Sequence, residues 1–153
     1  MPTAVVGPRM GDDARLYYSA TLGGAGVLTA IDCVIDDEIA SEKRTADSNV
    51  RGDNEIRTLI GKPRHSLSGN FQTRVGTAGV QYLVMKAAYI AGTVLHFAAT
   101  TGDILDSGQQ VFRSEMQISK WTESRPDGDS IKVAFELVPS ALSTYASNFA
   151  VVP

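Results

Sequence analysis

The sequence predicts a mainly β protein: an antiparallel β-sandwich or barrel with one packed α-helix. Three stretches carry that prediction. In residues 108–141, Phe112, Ser114, Met116 and Ile118 alternate with Arg113, Glu115, Gln117 and Ser119, and Ile131, Val133, Phe135 and Leu137 alternate with Lys132 and Glu136. Side chains of a strand point to opposite faces at period two, so each arm has a greasy face and a wet one. Pro126-Asp127-Gly128-Asp129 between the arms is turn chemistry, which makes the pair a long hairpin. In residues 64–75, Ser66, Ser68, Asn70, Gln72 and Arg74 share one face, and Leu67, Gly69, Phe71, Thr73 and Val75 the other. In residues 78–91 the period lengthens: Val80, Leu83, Val84, Ala87, Ala88 and Ala91 follow helical spacing, with Gly92 suited to the position just past the end.

Taken in order, residues 1–13 hold two prolines and two glycines and read as an irregular N-terminal arm whose Ala4-Val5-Val6 could dock on a neighbour. Residues 14–20 read as a first strand, and 21–26 (TLGGAG) as a loop. Residues 27–39 read as a second strand, with Ile31, Cys33 and Ile35 on one face and Asp32, Val34 and Asp36 on the other. Residues 40–54 (ASEKRTADSNVRGDN) are too polar for a core and too long for a hairpin turn, so they read as a long loop. Strand alternation returns over 55–60, and Gly61-Lys62-Pro63 is expected to break it. Thr77 is a candidate N-cap for the helix, whose apolar stripe is expected to cover the sheet. Residues 93–100 give another strand and 101–109 a loop. Pro139 ends the second arm of the hairpin, since proline cannot donate to a ladder. Residues 142–153 form a C-terminal tail, with a short strand or docked segment over 145–152. The count is about seven strands and one helix in a single domain, without the alternating units of an α/β fold.

Composition narrows the function. The chain has 153 residues, a formal net charge of −3 and 43% hydrophobic residues. An acidic balance argues against a protein that grips nucleic acid through its phosphates. Cys33, the one cysteine, cannot form an internal disulfide and reads as a small core hydrophobe. No apolar run approaches a membrane span, and no secretory signal opens the chain. His65 and His96 fall in no metal-ligand spacing. No G-x-S-x-G elbow, dinucleotide fingerprint or phosphate loop occurs. Asp32, Asp36, Asp37 and Glu38 cluster at a strand end without the spacing calcium needs. Arg51-Gly52-Asp53 reads as turn chemistry, and Trp121 as a packing residue. The expectation is no enzyme, no cofactor and no metal, but a module whose two-faced strands and open edges call for neighbours. A ring of identical copies would close those edges.

The order of parts resembles the major tail tube proteins of long-tailed bacteriophages and gene transfer agents. The resemblance runs over residues 16–141. It is carried by TAIDCVIDDEI, the charged stretch EKRTADSNVRGDNEI, SLSGNFQ, the helix AGVQYLVMKAAYIAG, TVLHFAA, and the closing hairpin FRSEMQISKWTES with DSIKVAFELVPSA. It implies homohexameric rings stacked into a tube, each subunit lending its sheet to a ring-shaped β-barrel. DNA would pass down the bore without specific binding. Tail terminator, tape measure and distal tail proteins are the implied partners. The implied location is the virion tail, after synthesis in the host bacterial cytoplasm. By position, Asp32, Asp36, Ser66, Ser68, Asn70 and Gln72 become channel-lining candidates; Arg74 departs from a neutral or acidic wall. The loop over 40–57 becomes the inter-ring loop, with Glu42, Lys43, Arg44, Asp47, Arg51, Asp53, Glu55 and Arg57 forming salt bridges to the next ring and poorly ordered in a lone subunit. Two other readings stay open: the secreted tube of a type VI-like or contractile system, and a small β-barrel that binds an apolar ligand.

Overall fold

A computed structural model describes residues 15–24, 26–31, 34–48, 57–73, 77–125 and 130–153. Eight strands and one helix occur among them: β1 Arg15–Ser19, β2 Thr29–Ala30, β3 Val34–Ser48, β4 Arg57–Gln72, α1 Thr77–Ala91, β5 Leu95–Thr100, β6 Gln110–Ser124, β7 Lys132–Pro139 and β8 Asn148–Val151. They make one open antiparallel sheet in the order β2-β1-β5-β6-β7-β4-β3, with β8 on β6. The N-terminal arm of residues 1–13, Cys33, Arg74 and the turn 126–129 lie outside the described residues.

β6 is the hub, as its period-two pattern requires. Residues 111–116 pair with β5 and residues 116–124 with β7, with a register shift between Ile118 and Lys120. The greasy faces then share one core: Leu16, Leu67, Phe71, Phe97, Phe112, Met116, Val133, Phe135 and Leu137 are all buried. β5 is buried at every position, which explains why its sequence shows no clean alternation. Trp121 is a packing residue, its ring against Phe71, Tyr82 and Tyr89.

Three expectations need correction. First, Gly61-Lys62-Pro63 does not break a strand: β4 runs through it. β7 joins β4 only from Leu67 on, so Pro63 sits where β3 is the one neighbouring strand and a missing donor is tolerated. Second, the stretch read as a loop over 40–54 continues β3 as far as Ser48. Ser41 to Ser48 pair with His65 to Arg57, with a register shift between Lys43 and Thr45. Backbone hydrogen bonding between two polar strands needs no greasy face, so no apolar alternation announced it. Third, the helix is turned the other way. Gln81, Met85 and Ala88 are buried, while Val80, Leu83 and Ile90 are exposed at 59%, 63% and 74%. Gln81 donates to the Ala30 carbonyl at 2.7 Å, so a polar residue anchors the inward face. Of the expected stripe only Ala88 faces the core.

The helix ends as Gly92 suggested. Gly92 has φ +66°, its N–H donates to Tyr89 O, and Thr93 N–H donates to Ala88 O. That is a Schellman motif, which glycine adopts without a Cβ penalty. A carboxylate fastens α1 to β6. Glu123 accepts from Tyr82 Oη at 2.6 Å, Trp121 Nε1 at 3.0 Å, Arg125 at 2.6 Å and Lys86 at 3.0 Å. Those donors, Tyr82 first, hold its carboxyl well below the usual carboxylate range. Its folded value lies under its unfolded one, near 4.5, so the contribution is complete above pH 4.5 and drains away as pH falls below it. Glu123→Ala strands the Tyr82 and Trp121 donors and is expected to cost about 2–3 kcal/mol at pH 7, and much less at pH 3. Urea unfolding at both pH values checks this; an equal loss at both would mean the carboxylate's charge is not what matters.

Candidate functional site

The wet face is assembled from four strands by register. Asp36, Asn70, Ala134 and Thr122 form one cross-strand row on β3-β4-β7-β6, and Glu38, Ser68, Glu136 and Lys120 the next. Asn70 Nδ2 donates to Asp36 Oδ1 at 2.7 Å. Gln72 Nε2 bonds Ser130 Oγ at one end of the face. A broad groove of about 500 Å³ runs over these rows. Of the residues expected along a channel, Asp36, Ser66, Ser68, Asn70 and Gln72 share this face; Asp32 lies outside the described residues. Glu38, Lys120, Thr122, Ala134 and Glu136 belong here too. Glu136 was visible in the period of β7, but Lys120 and Thr122 were not: the wet positions expected on β6 were Arg113, Glu115, Gln117 and Ser119, of which Glu115 is buried, and the register shift after Ile118 brings Lys120 and Thr122 to this face instead.

A register shift between Val34 and Asp36 rewrites the start of β3. Val34 pairs with Phe71 and packs on the core, where uninterrupted alternation put it with Asp36. Asp36 and its neighbour Asp37 point to opposite faces, as consecutive strand residues do. Asp37 pairs with Gly69, behind the wet face, and with Ile39 lines a smaller apolar cleft beside Phe112 and Phe149. Burial, then the adjacent Asp36, pushes its carboxyl up.

Beyond the core, β3 and β4 project as a two-stranded ribbon. Residues 40–47 and 57–64 are exposed at every position, including Leu59 at 64% and Ile60 at 68%. Glu42, Lys43, Arg44, Asp47 and Arg57 all lie on it, joined by Lys62 and Arg64; Arg51, Asp53 and Glu55 lie outside the described residues. Thr58 Oγ1 donates to Asp47 Oδ1 at 3.0 Å. Among the described residues, no ion pair within the chain involves the ribbon's charges. A bare two-stranded ribbon is marginal in water.

Two open edges flank the wet face: among the described residues β3 has β4 as its one partner strand, and β6 beyond Met116 has only β7. No three His, Cys, Asp or Glu side chains among the described residues are grouped to hold a metal. No described helix is long and apolar enough to cross a membrane.

This open-edged sheet, with one wet face, a core behind it and a projecting ribbon, shares its fold with chains of solved tail tubes. The chain is similar over 94% of its length to 99% of a chain in the virion of the native gene transfer agent (GTA) particle, with a TM-score of 0.68 at 13% identity. A chain from the tail of the empty GTA particle, solved with C6 symmetry, gives 0.68 at 14% identity over the same shares. The SPP1 tail tube gives 0.67 at 15% identity, covering 95% of this chain and 77% of that one. A chain of the anti-feeding prophage (AFP) baseplate, 6-fold symmetrised, gives 0.60 at 11% over 99% of both. No protein-family model matches the sequence, and no curated protein matches it.

Proposed function

We propose that this chain is a structural tail-tube subunit of a phage or gene transfer agent, found in the virion tail. Six copies form a ring, and rings stack into a tube that conducts DNA. The carrying observation is the pair of open edges on a sheet with one continuous wet face. Joining the β3 edge of one copy to the distal β6 edge of the next satisfies both, and four strands from each of six copies close a wide barrel. The wet face then lines the bore. It carries Asp36, Glu38 and Glu136, and a wall without a cationic surplus lets a polyanion slide. The ribbon reaches the neighbouring ring. Among its described residues it holds five cations and two anions on a chain of net charge −3, so it is complementary to the body of another copy. Tail terminator, tape measure and distal tail proteins would meet the tube's ends and lumen.

The AFP likeness keeps a contractile or secreted tube as the second reading, with the same assembly and a different cargo. A ligand-carrying small barrel has less support, because the described strands form an open sheet and not a closed barrel. Negative-stain microscopy of purified, concentrated protein tests the proposal: rings or tubes are expected, and a stable monomer at every concentration would overturn it.

Charge on the wet face gives a further expectation. Asp36→Lys with Glu38→Lys should leave assembly intact and slow DNA release from particles at least tenfold, because each ring gains a belt of phosphate-binding cations. Release at the parental rate would remove these residues from the bore. Asp37→Lys should instead impair folding, since Asp37 lies half-buried behind the face.

A further inference from the structure

Glu115 and His96 are buried side by side on paired strands, exposed at only 4% and 1%. Neither belongs to the wet face or the ribbon. Glu115 gathers three parts of the chain. Its carboxylate accepts from Gly23 N–H at 2.5 Å and from the Ser143 hydroxyl, and its backbone carbonyl accepts from Ser140 N–H at 3.1 Å. The glycine loop after β1 and the chain after β7 are thereby tied to β6. Both also cover His96. The Tyr145 ring stands edge-on to the imidazole at 5.0 Å, and Gly24 lies so close that a Cβ there would meet His96 Cε1 at 3.7 Å and Tyr145 Cε2 at 3.5 Å.

His96 itself is poorly served. Neither ring nitrogen has a hydrogen-bond partner, and Nδ1 is 4.0 Å from Glu115 Oε1. The titratable and charged groups around it are Glu115 and Arg113 on β6 and Tyr145 on the tail; β1 contributes Ser19 and the loop Gly24. The Ser143 hydroxyl meets the carboxylate and not the imidazole, so this is no nucleophile–base pair.

We infer that His96 and Glu115 form an acid-released latch: the loop over 20–24 and the tail over 140–147 close over a neutral His96 at pH 7, and proton uptake by His96 lifts them while the sheet stays folded. Burial first, then Arg113, holds the imidazole below its usual 6.5, with Glu115 pulling the other way. The open form binds the proton and the closed form does not, so closure is complete above pH 6.5 and weakens as pH falls from there toward the lowered folded value. Glu115 is itself held below the carboxylate range by Ser143, Gly23 and His96 against its burial, so between pH 5 and 6.5 it stays charged and His96 is the group that titrates.

The test is hydrogen exchange of the full chain from pH 7.5 to 5.0, with intrinsic rates divided out. Opening of 20–24 and 140–147 is expected to rise up to tenfold per pH unit below about 6.5, while β5 and β6 amides hold. His96→Phe keeps the ring contact with Tyr145 and should flatten that slope. Should this variant not fold, NMR titration of the parental His96 ring decides: a value near 6.5 with both covers closed overturns the latch. So does pH-independent exchange of the covers, or a slope that survives in His96→Phe. Glu115→Gln should loosen both covers already at pH 7.5 and keep the slope; covers as tight as the parent's would refute the tethering role of Glu115.

Discussion

Joining Glu42 directly to Arg64 through Asn-Gly should abolish stacked tubes and leave the domain folded. Glu42 and Arg64 are cross-strand partners, so a two-residue type I′ turn can replace everything between them. The described residues of the excised stretch contribute nothing to the core. Residues 43–47 and 57–63 are exposed, and among the described residues the stretch's charges have no ion-pair partner inside the chain. Unfolding midpoints should therefore move by no more than a few degrees, within the ~0.5 kcal/mol typical of surface changes. Assembly should fall below detection by microscopy and sedimentation, because the deletion removes Leu59, Ile60 and four of the five described ribbon cations, the surface proposed to meet the next ring. Tubes of normal length from the shortened protein would remove the ribbon from the stacking contact.

Gly69→Val should be the most damaging single substitution in the sheet. Gly69 sits on the inner face of β4, between Leu67 and Phe71 and opposite Asp37 and Phe135. A Cβ there would lie 2.6 Å from the Asp36 carbonyl oxygen and 3.1 Å from Phe135 Cζ. Backbone cannot step aside as a flexible side chain can. The Phe135 ring is itself packed on Phe71 at 5.8 Å between centroids, so relief would have to spread through the core. Overpacking of this kind costs about 1–3 kcal/mol for small insertions, and a valine should exceed that range. The same strain falls on the β3–β4 pairing that carries Asp36 and Asn70 on the wet face. Chemical denaturation measures it; Gly69→Ala should show a smaller loss in the same direction. Parental stability in Gly69→Val would mean that β3 gives way easily and is not a fixed wall.

Much of the sheet was legible because it is two-faced. Ser66, Ser68, Asn70 and Gln72 against Leu67 and Phe71, and Lys132 and Glu136 against Val133 and Phe135, declare their faces through alternation alone. The helix was legible as a helix through its longer period, and Gly92 marked its end. Its orientation was not. An apolar stripe says which residues shun water, yet the inward side was decided by Met85 filling the core and Gln81 reaching the Ala30 carbonyl. Val80, Leu83 and Ile90 are exposed among the described residues.

The ribbon and the wet face divide the same way. Polar strands that pair only with each other leave no hydrophobic period, so residues 40–48 looked like a loop until their hydrogen bonds were seen. Asp36 and Asp37 were one acidic cluster on paper; ordinary strand alternation puts them on opposite sides, and the register shift before Asp36 moves Val34 from the face of Asp36 to the core. Local pattern alone determined which segments are extended, where the one helix lies and which strands have a wet side, because side-chain periodicity is a property of neighbours along the chain. Only the folded arrangement decided which wet positions stand in a common row, which acid is buried and that His96 meets Glu115, because register and layer packing join residues far apart in sequence.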